Sequence, residues 1–505
     1  MPQLIEFSAQ WTAFVVFFLI IMGFIGIADF LMKYLRVAPE NSRKFVHVMV
    51  GILVSLAPFF LNSLYPVAGL GVLFTFLNYI ALKKDTFRGM HSTDRISYGT
   101  IYFPVAFTLL VLLFWERNIV IFIISMLILT FSDTAATIVG ERLPAEKKFV
   151  LWHDRKSYLG SATFFAVAFL IVWLGFPLYT RLAGGGPLPT QHLLLMSAFT
   201  AFLSTVGEAV SRRGSDNLTL TLAAALGLDI YLFCYSSGTL GSLFAWTLFS
   251  LLLGWGAYKL KALSASGGIG AFMLGVFMFG TGGWHTMLPL IGFFVLSSLL
   301  SKLADRRSNP DVIVSKGSRR DILQVYANGG IALILALLWY FSDFETTLYY
   351  YAFLASLASA TADTWETEIG SFSFTKPIDI LSWKRVEKGY SGGISLSGTL
   401  GGLAGAFTIP AIGVLSGAMT TDLRLILLIA VSGFIGTLVD SILGSSLQAK
   451  YQCPTCGKPT EKQVHCDVDT ELTSGFRWLN NDWVNVAGSL SGALVFTLLY
   501  FSLSL

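Results

Sequence analysis

Residues 11–32 read WTAFVVFFLIIMGFIGIADFLM, an apolar run interrupted by a single acid, Asp29. A helix needs roughly 20 such residues to cross a hydrocarbon core, so this stretch is long enough to span a bilayer. No basic region precedes it, and it ends in Lys33 and Arg36 instead of a small-residue cleavage site, which sets it apart from a cleavable signal peptide. Runs of the same kind recur, beginning near positions 11, 46, 64, 98, 119, 160, 192, 217, 240, 268, 285, 324, 346, 391, 423 and 486. Composition agrees, since the 505 residues are 54% hydrophobic and 13% charged, whereas soluble domains carry nearly twice that charge. The 48 Gly fit helices packed through small residues. A net charge of +4 gives no reason to expect a nucleic-acid partner, and four Cys exclude a disulfide scaffold.

The reading is therefore an all-α polytopic integral membrane protein of about 16 transmembrane helices. If odd-numbered connections are cytoplasmic, they hold 31 of the 34 Lys and Arg, leaving only Arg117, Arg181 and Arg424 on the opposite face. That is the positive-inside asymmetry, and a wrong helix count would scramble it. Both termini then lie outside. Two Gly-rich stretches, 267–284 and 391–415, are candidates for broken or re-entrant helices.

Sixteen divides into eight and eight. Asp133-Thr-Ala-Ala-Thr-Ile-Val-Gly140 closes the fifth span and Asp363-Thr-Trp-Glu-Thr-Glu-Ile-Gly370 the thirteenth, both DTxxTxxG. Lys156-Ser-Tyr-Leu-Gly160 and Lys388-Gly-Tyr-Ser-Gly392 follow, 23 and 25 residues after their Asp, each KxYxG leading into a helix. Glu208 and Asp440 lie near the inner ends of the seventh and fifteenth spans, and Asp216-Asn217 and Asn481-Asp482 open the eighth and sixteenth. Eight is even, so both halves run the same way, as two parallel lobes with two sites on one face. The expected domains are 1–238 and 239–505, the second with a Cys-rich cytoplasmic loop at 448–485.

Acids at a bilayer edge are costly and are kept for ions, protons or substrates. Asp133, Glu208, Asp363, Glu366, Glu368 and Asp440 qualify. Asp133, Thr137 and Gly140 share one helical face, as do Asp363, Thr367 and Gly370. A proton relay or polar packing cluster is the competing reading. Lys156 and Lys388, set beside Gly and Ser at helix entrances where free N–H groups attract anions, favour a phosphate site. Carboxylates, Mg²⁺ and Lys are the groups that phosphoryl transfer uses.

These residues carry a resemblance. The first half resembles the polyprenol kinase family that contains dolichol kinase and phytol kinase, which phosphorylate isoprenoid alcohols, typically with CTP. The matching residues are Arg43-Lys44-Phe-Val-His47, Asp133-Thr-Ala-Ala with Gly140, Lys156-Ser157 with Gly160-Ser161, and Glu208 with Asp216-Asn217-Leu218-Thr219. The departure is Leu159, where the family motif carries Glu. The second half is similar to the phytyl-phosphate kinase family. The similarity rests on Leu263-Ser-Ala-Ser-Gly267, Gln324-Val-Tyr-Ala-Asn328-Gly329-Gly330, Ala362-Asp363-Thr-Trp-Glu366-Thr-Glu368-Ile-Gly370 and Gly389-Tyr-Ser-Gly392-Gly393. It continues through Asp440-Ser-Ile-Leu-Gly444 with Gln448, and Asn481-Asp482-Trp-Val-Asn485.

The resemblances imply consecutive reactions, prenyl alcohol to monophosphate and monophosphate to diphosphate, with a nucleoside triphosphate, CTP by family likeness, and Mg²⁺. Catalytic candidates are Asp133, Lys156, Asp363 and Lys388. Metal candidates are Asp133, Glu208, Asp216, Asp363, Glu366, Glu368, Asp440 and Asp482, with helix capping as the competing role for Asp216 and Asp482. Nucleotide and substrate candidates are Arg43, Lys44, His47, Ser157, Gly160, Ser161, Asn217, Arg319, Arg320, Asn328, Gly392, Gly393, Asn481 and Asn485. The general base is open among the acids. The expected location is a bacterial inner membrane, with the active sites on the cytoplasmic face. Two other classes use similar parts: a cytidylyltransferase forming CDP-lipids, and a secondary transporter with two parallel repeats.

Cys453-Pro-Thr-Cys456-Gly with His465-Cys466 resembles a zinc knuckle, able to offer four ligands to a structural Zn²⁺. Adjacent His465 and Cys466 need a tight bend to ligate together, and a redox CxxC is the competitor.

Overall fold

A computed structural model describes residues 10–84, 98–144, 147–305 and 319–503. Arg88, Arg95, Arg306, Arg307 and Lys316, counted above among the basic connections, lie outside the described residues. The chain divides into two compact units, Met1–Leu240 and Gly241–Leu505.

The first unit contains α1 (Gln10–Tyr34), α2 (Pro39–Ser55), α3 (Leu64–Lys84), α4 (Gly99–Phe114), α5 (Ile119–Glu141), α6 (Tyr158–Leu182), α7 (Thr190–Ala209) and α8 (Asp216–Ser236). Pro39 sits at the first turn of α2, where its missing N–H costs nothing, so this helix begins seven residues before the apolar run and takes Arg43, Lys44 and His47 into its first turns. Within α5, residues Ile128–Ser132 form a π-turn directly ahead of Asp133. Such turns re-phase a helix and frequently mark functional positions. A hairpin of β1 (Lys148–Val150) and β2 (Arg155–Ser157) leads into α6.

The second unit contains α9 (Leu240–Lys259), α10 (Ala265–Asp305), α11 (Ile322–Phe341), α12 (Thr347–Ser371), α13 (Leu396–Leu415), α14 (Leu423–Ser446) and α15 (Asn481–Ser502). Gly283, at φ 56° and ψ −135°, breaks α10, a conformation that a side chain resists. Thr286, just past the break, donates to the Met278 carbonyl eight residues back at 2.5 Å, so the apolar runs beginning near 268 and 285 are two helical segments that meet at Gly283. The Gly-rich stretch at 391–415 holds a plain helix, α13, opened by Ser395 as N-cap.

Thirteen helices among the described residues are long and apolar enough to cross a bilayer. Of the sixteen runs, Gly99–Phe114 is short at 16 residues, α10 holds the two that begin near 268 and 285, and α12 carries Asp363, Glu366 and Glu368 near its end. Leu19, Phe76, Leu252 and Leu498 are more than half exposed, an arrangement suited to lipid rather than water. The strands, of two to four residues each, lie in connections, so the fold is the all-helical membrane class the composition predicts.

Candidate functional site

In the first unit, every nucleotide, metal and catalytic candidate from the sequence opens onto one cavity of about 1360 Å³. Its polar end is built from three acids and one buried lysine. Lys156 Nζ lies 2.5 Å from Glu208 Oε1 and 3.0 Å from Asp216 Oδ2, so the end of β2 is tied to the end of α7 and the start of α8. Burial alone would lower the Lys156 ammonium, but Asp216, Glu208 and Asp133 outweigh it and hold the group protonated well above its ordinary value. Ser161 donates to Glu208 at 3.4 Å. Asp216 is not the cap of α8; Ser215 precedes it, and the Asp216 carboxylate faces Lys156.

Asp133 completes this end from α5. Its ion-pairing partner among the described residues is His47 Nε2, at 4.0 Å, and the same ring nitrogen lies 3.1 Å from the carbonyl of Leu129 in the π-turn. Lys44 pairs with Glu141, an acid the sequence reading passed over. Arg43 lines the cavity as well, and Asn217 donates to the carbonyl of Gly99 at 2.9 Å, joining α8 to α4. From the charged end the lining continues through Val50, Val54, Leu70, Phe74, Phe103 and Phe107, an apolar extension. Leu159 is 54% exposed and stands outside this lining.

The acids of the second unit are arranged differently. Arg320 supplies the nearby cation: its guanidinium lies in the field of Glu368 and Asp363, and its Nη2 is 3.4 Å from Ser301 Oγ, which donates to Glu368. Arg319 is exposed. Glu366 is 7% exposed, and among the described residues neither carboxylate oxygen meets a donor in hydrogen-bonding geometry. The Asn485 amide, in the orientation that satisfies it, donates to Asp440 Oδ2 at 3.3 Å and to the Asn481 carbonyl at 3.1 Å. Asn328 lies 3.4 Å from the same amide. Asn480, not Asp482, caps α15, leaving Asp482 buried in the first turn.

Lys388 is not brought to these acids. Its ammonium donates to the carbonyls of Ser373 at 2.6 Å and Ser371 at 3.2 Å, where it satisfies the end of α12. Gly392, at φ +87°, forms a turn so close to α14 that a Cβ would meet Ser445 at 2.5 Å. Gly393 donates to Tyr390 in the same turn. The reason is a matter of register. Ser157 caps α6 by accepting from Gly160, and Ser395 caps α13 by accepting from Gly398. A Cβ at Gly160 would lie 3.5 Å from the Gly140 Cα, and one at Gly398 would lie 3.3 Å from the Gly370 Cα. The counterpart of Lys156-Ser157 is therefore Ile394-Ser395. The second connection is longer, with β3 (Ile378–Asp379) and β4 (Gly393–Ile394) framing a wide loop, so a similar spacing from the Asp, 25 residues against 23, falls short of the helix entrance and lands on Lys388.

In the loop after α14, the ligand atoms of Cys453, Cys456, His465 and Cys466 lie within 4.8 Å of one another. The N–H of Cys456 draws the Cys453 thiol down to about 6, with His465 and the N–H of Thr455 adding to it against the opposing effect of burial.

Comparison with known proteins adds a lineage. Residues 248–493 match the family model described as integral membrane protein DUF92. The chain is 30% identical over 271 residues to Protein PGR of Arabidopsis thaliana, covering 48% of this chain and 91% of that protein. It is 29% identical over 245 residues to an uncharacterized membrane protein of Methanocaldococcus jannaschii, covering 48% and 89%. A Synechocystis protein named phytol kinase is 28% identical over 208 residues, 41% of this chain and 85% of that one. No solved structure matches.

Proposed function

Because the chain belongs to the DUF92 family of integral membrane proteins and has relatives named phytol kinase, we propose that it is a membrane kinase of isoprenoid alcohols. The observation that carries this is the first unit's cavity. A charged end of Lys156, Glu208, Asp216, Asp133 and Arg43 opens into an apolar extension suited to a prenyl tail.

The step is transfer of a terminal phosphoryl group. The prenol oxygen bonds to the γ-phosphorus, the bond from phosphorus to the bridging oxygen breaks, and the nucleoside diphosphate leaves with that electron pair. Lys156, held protonated, offsets charge developing on the phosphate oxygens. Asp133 is the motif acid not paired to Lys156, so it takes the hydroxyl proton. Glu208 and Asp216 are hard oxygen donors of the kind Mg²⁺ prefers and would hold it there, where its charge would offset that of the phosphate. CTP is the expected donor. Asp363, Glu366, Glu368 and Asp440 with Arg320 are the corresponding set in the second unit, where the substrate is the prenyl monophosphate and the product the diphosphate. The charge asymmetry of the connections supports a headgroup site on the cytoplasmic face of the membrane, for which a bacterial inner membrane is the proposed location.

The test supplies a C20 prenol, and separately its monophosphate, with each nucleoside triphosphate to wild type, Asp133→Asn and Asp363→Asn, with products read by mass spectrometry. Asp133→Asn should lose only the first step and Asp363→Asn only the second. Loss of both steps in either variant refutes two sites, and CMP retained on the lipid refutes a kinase.

A further inference from the structure

The loop between α14 and α15 contains a folded insert whose cohesion burial does not explain. Three strands, β5 (Lys450–Gln452), β6 (Pro459–Thr460) and β9 (Glu471–Ser474), pair in the order β6, β5, β9, and a second hairpin joins β7 (Val464–His465) to β8 (Val468–Asp469). Between residues 450 and 474 only Tyr451, Cys453 and Thr460 are buried, while Val464, Val468 and Leu472 stay exposed. A module this small, with so little apolar core, needs a staple.

The four candidate ligands come from the tips of the two hairpins. The turn after β5 brings Cys453 and Cys456 together, closed by a 2.9 Å bond from the Gly457 N–H to the Cys453 carbonyl, with Gly457 at φ +67°. The β7–β8 hairpin turns on Cys466 and Asp467, at φ 54° and 58°. Two consecutive positive φ values make the tight bend that lets adjacent His465 and Cys466 converge on one point. Ideal tetrahedral zinc, with Zn–S about 2.3 Å and Zn–N about 2.0 Å, sets thiolate and imidazole atoms roughly 3.5 Å apart. His465 Nδ1 lies 3.6 Å from Cys456 Sγ and 3.2 Å from Cys466 Sγ.

The insert also reaches back to the wide loop between β3 and β4. Glu461, between the two ligand pairs, accepts a hydrogen bond from Ser391, which Gln448 contacts at 3.2 Å. Lys450, in β5, stands 3.9 Å over the Tyr390 ring and donates to the Ser445 carbonyl at 3.0 Å. We propose that Cys453, Cys456, His465 and Cys466 bind one structural Zn²⁺, and that the metal-folded insert, through Glu461 on Ser391, fixes the conformation of the 388–393 loop. This does not depend on the kinase reading.

The experiment uses the full chain in detergent. Elemental analysis should find one zinc per chain in wild type and in Glu461→Gln, and about none in Cys456→Ser. Hydrogen exchange should quicken roughly tenfold or more at residues 389–392 in Glu461→Gln, and at both 389–392 and 450–474 after zinc is stripped with a chelator, reversing when Zn²⁺ is restored. A wild type isolated without zinc that fails to take up one equivalent overturns the site, as does a Cys453–Cys456 disulfide in reduced-buffer preparations. Zinc loss that leaves exchange at 389–392 unchanged overturns the coupling.

Discussion

Lys156→Met is the most informative perturbation of the first site, because the geometry predicts opposite recoveries for stability and chemistry. The lysine side chain is 14% exposed and Glu208 is 5% exposed, so removing the ammonium leaves two carboxylates facing each other with little solvent. Breaking a buried pair by deleting one partner costs roughly 3–5 kcal/mol. For a unit of 240 residues that is a fall in Tm on the order of 10 °C. Neutralising the stranded acids in the triple variant Lys156→Met, Glu208→Gln, Asp216→Asn should restore most of the loss, since neutral replacement of a buried ion cluster is often close to free. Prenol phosphorylation should fall about 10²- to 10³-fold in Lys156→Met, the usual effect of deleting a preorganised charge at a transferring group, and at least as far in the triple variant, which also loses two carboxylates proposed for Mg²⁺. The assays are intrinsic-fluorescence melting in detergent and product formation from a C20 prenol. Recovery of activity together with stability in the triple variant would refute a phosphate role for Lys156 and leave it a structural ion pair. The pH dependence follows from sign: the folded pKa lies above the ordinary 10.5, so the pairing is fully present below that pH and lost only as pH rises past it. Wild-type Tm should therefore show no titration from this group across the physiological range.

In the second unit, Gly398→Val should cost about 1–3 kcal/mol, read as a lower Tm, because even a Cβ meets the Glu366 carbonyl at 2.8 Å and α12 and α13 must separate. Val54→Trp, in the apolar extension of the cavity, should raise KM roughly tenfold for a C20 prenol and less for a C10 one, since two methylenes kept from burial are worth about 1.6 kcal/mol. An equal rise for both chain lengths would remove the tail from this part of the cavity. Burial would raise the Asp379 carboxyl, but Ser445 and Ser382 outweigh it and hold it below its ordinary 3.8. The anchoring of the β3–β4 loop is then present above that pH and lost as pH falls through the lowered value, so proteolysis within 380–393 should increase only in acid, and Asp379→Asn should abolish that pH dependence.

Much of this architecture can be read in the letters alone, because crossing a bilayer is a local requirement. Each span needs its own length of apolar residues and its own internally satisfied backbone, so hydropathy locates α1 to α15 without knowledge of their neighbours. The site acids are legible for the same reason: Asp133, Glu208 and Asp363 stand out because a carboxylate is costly where they lie. Which cation meets which acid is not local. Lys156 and Lys388 occupy the same short pattern, yet one is clamped between Glu208 and Asp216 and the other closes the end of α12. The difference comes from the length of a connection and from the glycine contacts that set helix register, Gly140 on Gly160 and Gly370 on Gly398. Arg320 carries no signal beyond membership of a basic run; it becomes the cation beside the second unit's acids only where the packing of α10 and α12 places Ser301 and Glu368 next to it. The bend at Cys466 and Asp467 is likewise a backbone conformation that L-residues adopt reluctantly, and adjacency in sequence argues against it until the hairpin is formed. Residue type and spacing determined the class of protein and its candidate reactive groups, while tertiary packing decided their partners, because ion pairing depends on distances across elements far apart in the chain.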